Sequence, residues 1–394
     1  MRAIVIGAGI AGLVVARQLG LAGWDVEVLE KSPAPRPDGY MMDFFGPGVA
    51  AAERIGLYPR LAAAAYRVDA AEYVDMAGRP TSRLDYRRFA RLAGGNVLSL
   101  LRPDLERAAL AAIGDVPPGR VRLRYGAPGS LVWNDDDGVR AAGGSPEKIL
   151  AADVLVGADG LHSGVRALLF GPEEQYLRPL GMRAAAFIVK DYRLNARFRD
   201  RFVLTDSIGR VAGLYSLRSD EVAALLVYRC GAAEAGELTA GSTRERLRRE
   251  FSGLGSTVDR LLELCPEQPY DDVVAQIVMP GWHVGRAVLL GDACGAVSLL
   301  AGQGGSLAVA GASLLVDLLG PVVTPAGVGP ALAEFERRWR PAVEEAQAAG
   351  RRAASSFLPS NRIRRLLRRL VIRASHVPGI DRMVASRIVG KIAR

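Results

Sequence analysis

The run Gly7-Ala8-Gly9-Ile10-Ala11-Gly12 has the spacing with which a chain brings its backbone against a pyrophosphate. Gly7 permits the tight turn, Gly9 leaves room for phosphate, and Gly12 lets a helix lie close on a strand. A helix starting here, with Ala11 in its first turn, offers N–H donors and the positive end of its dipole to the anion. Glu30, followed by Lys31, suits the two hydroxyls of a ribose and disfavours a 2′-phosphate. The chemistry indicated is dinucleotide binding, of FAD or NAD rather than NADP.

Other chemistries lack their residues. Cys230, Cys265 and Cys294 are far apart, and His162, His283 and His376 are equally scattered, so neither a disulfide framework nor a metal site is expected. This cysteine usage points to a reducing, cytoplasmic setting. The 394-residue chain is 49% hydrophobic and 24% charged, an ordinary globular composition. Of its net charge of +9, residues 351–394 hold more than the whole, with twelve Lys and Arg against Asp381, and the rest is slightly acidic. Basic charge confined to one end, away from any recognition element, argues against a nucleic-acid partner. Residues 3–16 and 293–316 imitate membrane signals, but the glycines within them fit a buried strand, turn and helix better.

The elements that must position the glycine run are a strand at 3–6, a helix at 11–22 and a strand at 26–29, a βαβ opening. A Pro-rich connection follows, then a helix after Arg102 and a buried strand at 154–156. From about residue 183 the texture changes to closely spaced strands at 184–189, 202–205, 211–216 and 222–228, expected to form an antiparallel insertion. Ser242 and Glu245 have capping-box spacing ahead of a helix, and α/β texture returns with a strand at 288–290.

Three further segments carry a family resemblance. They are Val156-Gly157-Ala158-Asp159-Gly160, continuing through His162 to Arg166; Leu290-Gly291-Asp292-Ala293, followed by Ala301-Gly302-Gln303-Gly304-Gly305; and Leu101-Arg102-Pro103. In this order they resemble the FAD-dependent monooxygenases of the p-hydroxybenzoate hydroxylase type, the class A aromatic hydroxylases, over most of the chain. The texture is nearest to the tetracycline-inactivating and polyketide-tailoring members. The resemblance implies that Asp159 helps hold FAD and meets the nicotinamide cofactor, and that Asp292 binds ribityl or ribose hydroxyls. It implies a helix starting at Gly302, Gly304 and Gly305 whose N-terminus faces the flavin pyrimidine ring, where its dipole stabilises the anionic reduced flavin. Arg102 and, with less support, Arg36 and Asp43 become FAD contacts; residues 38–46, from Asp38 to Gly46, fall where the family has a loop against the flavin, or are core packing.

The fold implied is α/β: a Rossmann-like FAD-binding domain of the glutathione-reductase type, an inserted antiparallel β-sheet substrate domain, and C-terminal helices. Residues 1–75, 96–178 and 270–345 are expected to form the discontinuous FAD-binding domain, 76–95 and 179–269 the substrate sheet, and 346–394 basic C-terminal helices. Arg183, Tyr215 and Tyr228 are candidate substrate contacts on that sheet. The implied reaction takes electrons from NADPH or NADH, adds O2 to the flavin as a C4a-hydroperoxyflavin, and hydroxylates an aromatic or polyketide-like small molecule. No motif marks a catalytic base, and monomer and dimer are both compatible with the sequence. Two departures stand beside the expected flavin: Cys294-Gly295 where most relatives carry a histidine, and Ser298-Leu299-Leu300 where they carry a proline. They motivate the alternative of an FAD-dependent redox-neutral cyclase or isomerase, or an isoprenoid reductase, on the same fold.

In the tail, Ile363, Leu366, Leu367, Leu370 and Val371 recur with helical period, and Arg362, Arg364, Arg365, Arg368 and Arg369 fill the rest. Such a helix can lie on an anionic membrane through residues 362–373. The expectation favoured here is that its apolar stripe packs in a groove of the body and its arginines face solvent.

Overall fold

The computed structural model describes residues 1–37, 39–92, 95–135, 138–143, 148–231 and 242–374; Asp38, His376 and the end of the expected basic helices lie outside them, as does the side chain of Val371. A six-stranded sheet has the order 283–284, 287–289, 154–157, 2–6, 25–29, 121–124, parallel throughout except at the first pair. Its central strand, Arg2–Ile6, is an unbroken buried apolar run from Ala3 to Ile6 because helices and other layers cover both faces of a parallel sheet. Ile6 is in register with both Leu29 and Gly157, and Gly157 with Leu289. That register delivers Gly7, Glu30, Asp159 and Asp292 just beyond the carboxyl ends of four neighbouring strands, where open α/β sheets bind ligands.

A seven-stranded sheet has the order 270–277, 177–190, 221–229, 210–216, 201–207, 70–74, 80–85. It is antiparallel except where Arg201–Ser207 runs parallel to Ala70–Val74. Ala70–Val74 and Tyr270–Ile277, expected on the sequence to lie in the first lobe, are hydrogen-bonded into this second sheet. Their partners are far away in sequence, so local texture carries no sign of the pairing. The helices Tyr192–Arg197, Thr243–Phe251 and Ser256–Leu264 cover one face, packing Leu194, Leu247, Phe251 and Leu261 on Phe187, Leu226 and Tyr228. The Ser242–Glu245 capping box is formed: Glu245 N donates to Ser242 Oγ at 3.2 Å, and Ser242 N to Glu245 Oε2 at 3.1 Å. The opposite face packs Ala184, Leu225, Val227 and Val274 against Tyr40, Leu299, Leu300 and Phe357, and so meets the first lobe.

The long helix Val328–Phe357 fastens the two lobes. Gln347 Nε2 donates to the carbonyls of Ile277 and Ala296 at 2.7 and 3.1 Å, and Gln276 Nε2 to those of Gln347 and Val297 at 2.8 and 3.1 Å. These buried amides fix the segment leading into Gly302.

The helix Arg362–Ala374 forms as the periodicity demands but seats itself in reverse. Arg365 and Arg369 each reach Asp206 at 3.1 Å, Arg368 pairs with it as well, and the Arg368 guanidinium lies 4.6 Å from the Tyr73 ring centre. Ile363, Leu366, Leu367 and Leu370 face solvent. The expected packing is overturned because Asp206 is fully buried, and a buried carboxylate needs partners. Helical period tells which residues share a face; it does not tell which face turns inward.

Candidate active site

A cleft of ≈ 270 Å³ runs along the strand ends, lined among others by Gly7, Gly9, Glu30, Lys31, Arg36, Arg102, Tyr125, Asp159 and His162. Gly7 holds φ +102°, and a Cβ there would stand 2.5 Å from the Ala158 carbonyl oxygen. At Gly12 a Cβ would stand 2.0 Å from the oxygen of Gly7, whereas at Gly9 it would meet nothing within 4 Å. Two glycines are thus needed for packing, and the third opens the loop toward the cleft. The helix Ile10–Leu21 begins at Gly9 with no side-chain cap, leaving its first N–H groups for a ligand. Glu30 accepts from Ala8 N and Ser32 N, both at 2.8 Å, so its carboxylate is oriented before any ribose arrives. The Tyr125 hydroxyl, which belongs to no motif, is buried in this cleft wall without a partner among the described residues. The open loop, uncapped helix, fixed carboxylate and orphaned hydroxyl fit the adenosine and pyrophosphate of FAD.

Asp159 accepts from Ser163 Oγ at 2.6 Å and Val165 N at 3.1 Å, and burial raises its pKa. Arg166, fully buried, donates to the carbonyls of Ala293 at 3.0 Å and Leu161 at 2.8 Å and to Glu173 Oε2 at 2.6 Å. It therefore locks the Asp159 segment to the residue after Asp292. His162 bridges the lobes, lying 2.9 Å from Glu173 Oε1 and 3.1 Å from Asp272 Oδ1, and these carboxylates raise its pKa to about 9.

Asp292 is reached by solvent although protein surrounds it densely; burial raises its pKa, and the charge of Arg102 partly offsets this. Arg102 also pairs with Glu106 at 3.0 Å, and its N–H donates to the Tyr40 carbonyl at 3.0 Å. Gly291, at φ +64°, would bring a Cβ within 3.2 Å of Ala11, which explains why glycine precedes Asp292. Gly302 takes a left-handed turn at φ +65° before the uncapped helix Gly304–Leu319. Gly305 fits that helix against Met42 and Leu105, where a Cβ would approach to 2.8 Å. Cys294 is buried, and burial drives its thiol pKa upward, so it is a packing residue. Ser298 has φ +79°, which proline's ring forbids. Its hydroxyl is buried and has no partner among the described residues.

Where the lobes meet, Asp43 accepts from Ser99 Oγ at 3.0 Å, and burial lifts its pKa to about 6. Its charge acts on Tyr215, which stacks on Phe202 at 3.8 Å and packs near Met41 and Leu101 of the first lobe. Tyr40 and Tyr270 lie 6.3 Å apart, and burial raises both phenols, Tyr40 to about 12. Arg183 and Tyr228, candidate substrate contacts by sequence, occupy the opposite face: strand register pairs them, and alternation then turns both away from the first lobe. Arg183 Nε reaches Asp271 at 3.2 Å, Arg246 pairs with the same carboxylate, and Arg246 Nε donates to the Tyr228 hydroxyl at 3.1 Å. They form a structural network, and of the three candidates Tyr215 alone faces the first lobe.

Residues 1–349 match the family model described as FAD binding domain. A flavin-dependent monooxygenase of an unknown prokaryotic organism is 29% identical over 362 residues, 90% of each chain. A 3-amino-4-hydroxybenzoate 2-monooxygenase of Streptomyces platensis is 30% identical over 375 residues, covering 93% of this chain and 91% of that one. Among solved structures, that of tetracycline destructase Tet(51) matches with a TM-score of 0.79 at 24% identity, covering 98% of both chains. The chain belongs to the FAD binding domain family and is an FAD-dependent monooxygenase.

Proposed function

We propose that this monooxygenase hydroxylates an electron-rich aromatic or polyketide-like small molecule in the cytoplasm, with NADPH or NADH as reductant. The observation that carries the substrate class is the aromatic wall where the lobes meet: the Phe202–Tyr215 stack with Tyr40, Tyr73, Tyr270, Leu299 and Leu300 beside the Gly302 turn. The relative named for 3-amino-4-hydroxybenzoate and the neighbour named for tetracycline support the same class. The three free cysteines suit a reducing compartment.

Bound FAD supplies the redox and oxygen chemistry, and the protein supplies position and field. Glu30 would hold the ribose, the open loop at Gly9 the pyrophosphate, and Asp292, beside Arg102, a ribityl or ribose hydroxyl. The uncapped N-terminus of Gly304–Leu319 would favour negative charge on a flavin ring bound beside it. Asp43, with its pKa near 6, holds or releases a proton near neutral pH on the face shared with Tyr215. The apolar residues of the wall exclude water from the reacting atoms.

The test is anaerobic mixing of the purified protein with NADPH or NADH while the flavin absorbance is followed, with and without candidate phenols and enols. Bleaching accelerated by one of them supports the reading. A flavin that stays oxidised across the panel overturns the proposed reductant and substrate class.

A further inference from the structure

Ile363, Leu366, Leu367 and Leu370 form one exposed face of the Arg362–Ala374 helix, the densest run of exposed large apolar side chains among the described residues. The orientation is imposed from behind by the three ion pairs to Asp206 and by Arg368 over Tyr73. Rolling the stripe inward would leave the Asp206 carboxylate buried and unpaired. The exposed stripe is thus a built feature, and a contiguous apolar patch of this kind marks a contact surface.

Charge selects the occupant. The helix has six arginines and no acid, and Arg362 and Arg364 are exposed alongside the stripe. A second copy stacked on this face would oppose one cationic helix with another, and nucleic acid gives an apolar stripe nothing to enter. A bilayer with anionic headgroups presents apolar depth and negative charge at the same place. We propose that this face docks the enzyme on an anionic lipid surface, with the helix lying in the headgroup plane. Ile208 extends the apolar edge: it is exposed at the tip of the hairpin that carries Asp206, and Gly209 N ties that tip to the Pro359 carbonyl at 3.2 Å. No helix among the described residues is long and apolar enough to span a membrane, so the contact is peripheral. Tyr73, beneath Arg368, belongs to the same apolar cluster as Tyr40 and Tyr270, which brings the aromatic wall close to the docked face.

The experiment uses the full-length, FAD-loaded protein and sedimentation with vesicles of phosphatidylcholine alone or mixed equally with phosphatidylglycerol. Binding is expected to the mixed vesicles and not to the neutral ones, and to fall about tenfold or more in the double variant Leu367→Glu, Leu370→Glu. Both positions are exposed, so flavin content and melting should not change and serve as the folding control. In a Leu367→Trp variant, brominated lipid in mixed vesicles should quench the new indole. Equal binding to both vesicles, undiminished binding of the double variant, or a concentration-dependent dimer that the double variant dissolves would each overturn the proposal. None of these readouts depends on the substrate, so they stand apart from the hydroxylation reading.

Discussion

The nucleotide end at the cleft and the junction of the lobes are built on different principles. At the nucleotide end the decisive residues lie within one βαβ unit, and their identities follow from distances of 2–3 Å between backbone atoms and absent side chains at Gly7 and Gly12. At the junction of the lobes the decisive groups come from widely separated segments, through Asp43, Ser99, Tyr215, Tyr270 and Asp292, and their states follow from burial and mutual charge. Steric demand leaves its mark in local spacing, whereas burial and charge depend on how the two sheets meet. Gly12→Val tests the steric end most severely. The added carbons would run into the Gly7 carbonyl, at a cost of about 3 kcal/mol or more. The variant is expected to purify without flavin absorbance and with a lowered melting temperature; normal flavin loading would break the contrast.

Asp43→Asn probes the electrostatic end. The folded carboxyl titrates at about 6 instead of 3.8 because burial penalises its charge, with Ser99 opposing the shift. A raised acid pKa gives a contribution to stability that is complete below 3.8 and is lost as pH rises through 6, up to about 3 kcal/mol. Asparagine does not titrate. The melting temperature of the variant relative to the parent should therefore climb between about pH 4 and pH 6 and level off above, and a difference independent of pH would show that Asp43 is not desolvated.

Asp292→Ala falls where the two ends communicate, through Arg102. Removing a charge-assisted hydrogen bond to a cofactor hydroxyl costs about 2 kcal/mol, or about thirtyfold in affinity. Titration of the flavin-stripped protein with FAD measures it. An unchanged affinity would remove Asp292 from the cofactor site.

The same contrast governs how much could be read from the sequence. The βαβ opening, the strand at 154–157 and the motif segments were legible because each encodes its own turn and packing, and the parallel register then assembles them at one edge. Membership of Ala70–Val74 and Tyr270–Ile277 in the second sheet was not, since their hydrogen-bond partners are remote. Gln276 and Gln347 escaped notice, and the bridging role of Arg166 within its motif segment did too, for a related reason: a buried polar side chain that spans two segments has no spacing of its own. The tail shows the limit most plainly, because its helical period was clear and its orientation was decided by one carboxylate elsewhere.

The smallest expected effects come from a pair of conservative changes that ask which face of the second sheet does chemistry. Tyr215 and Tyr228 are both strand tyrosines on neighbouring strands, and no single-sequence pattern separates them. Their partners do: Tyr228 accepts a hydrogen bond from Arg246 amid a buried ionic network, whereas Tyr215 stacks on Phe202 within the influence of Asp43. Tyr228→Phe removes an acceptor that Arg246 can partly replace with Asp271, so a loss of about 1 kcal/mol in stability is expected, with kcat and KM unchanged. Tyr215→Phe keeps the stack and should leave melting nearly unaltered, while changing KM or the substrate-stimulated rate of flavin reduction by a few-fold. If Tyr228→Phe altered turnover and Tyr215→Phe did not, the catalytic face would be the one covered by the helices at 243–251 and 256–264, and the aromatic wall would be packing alone.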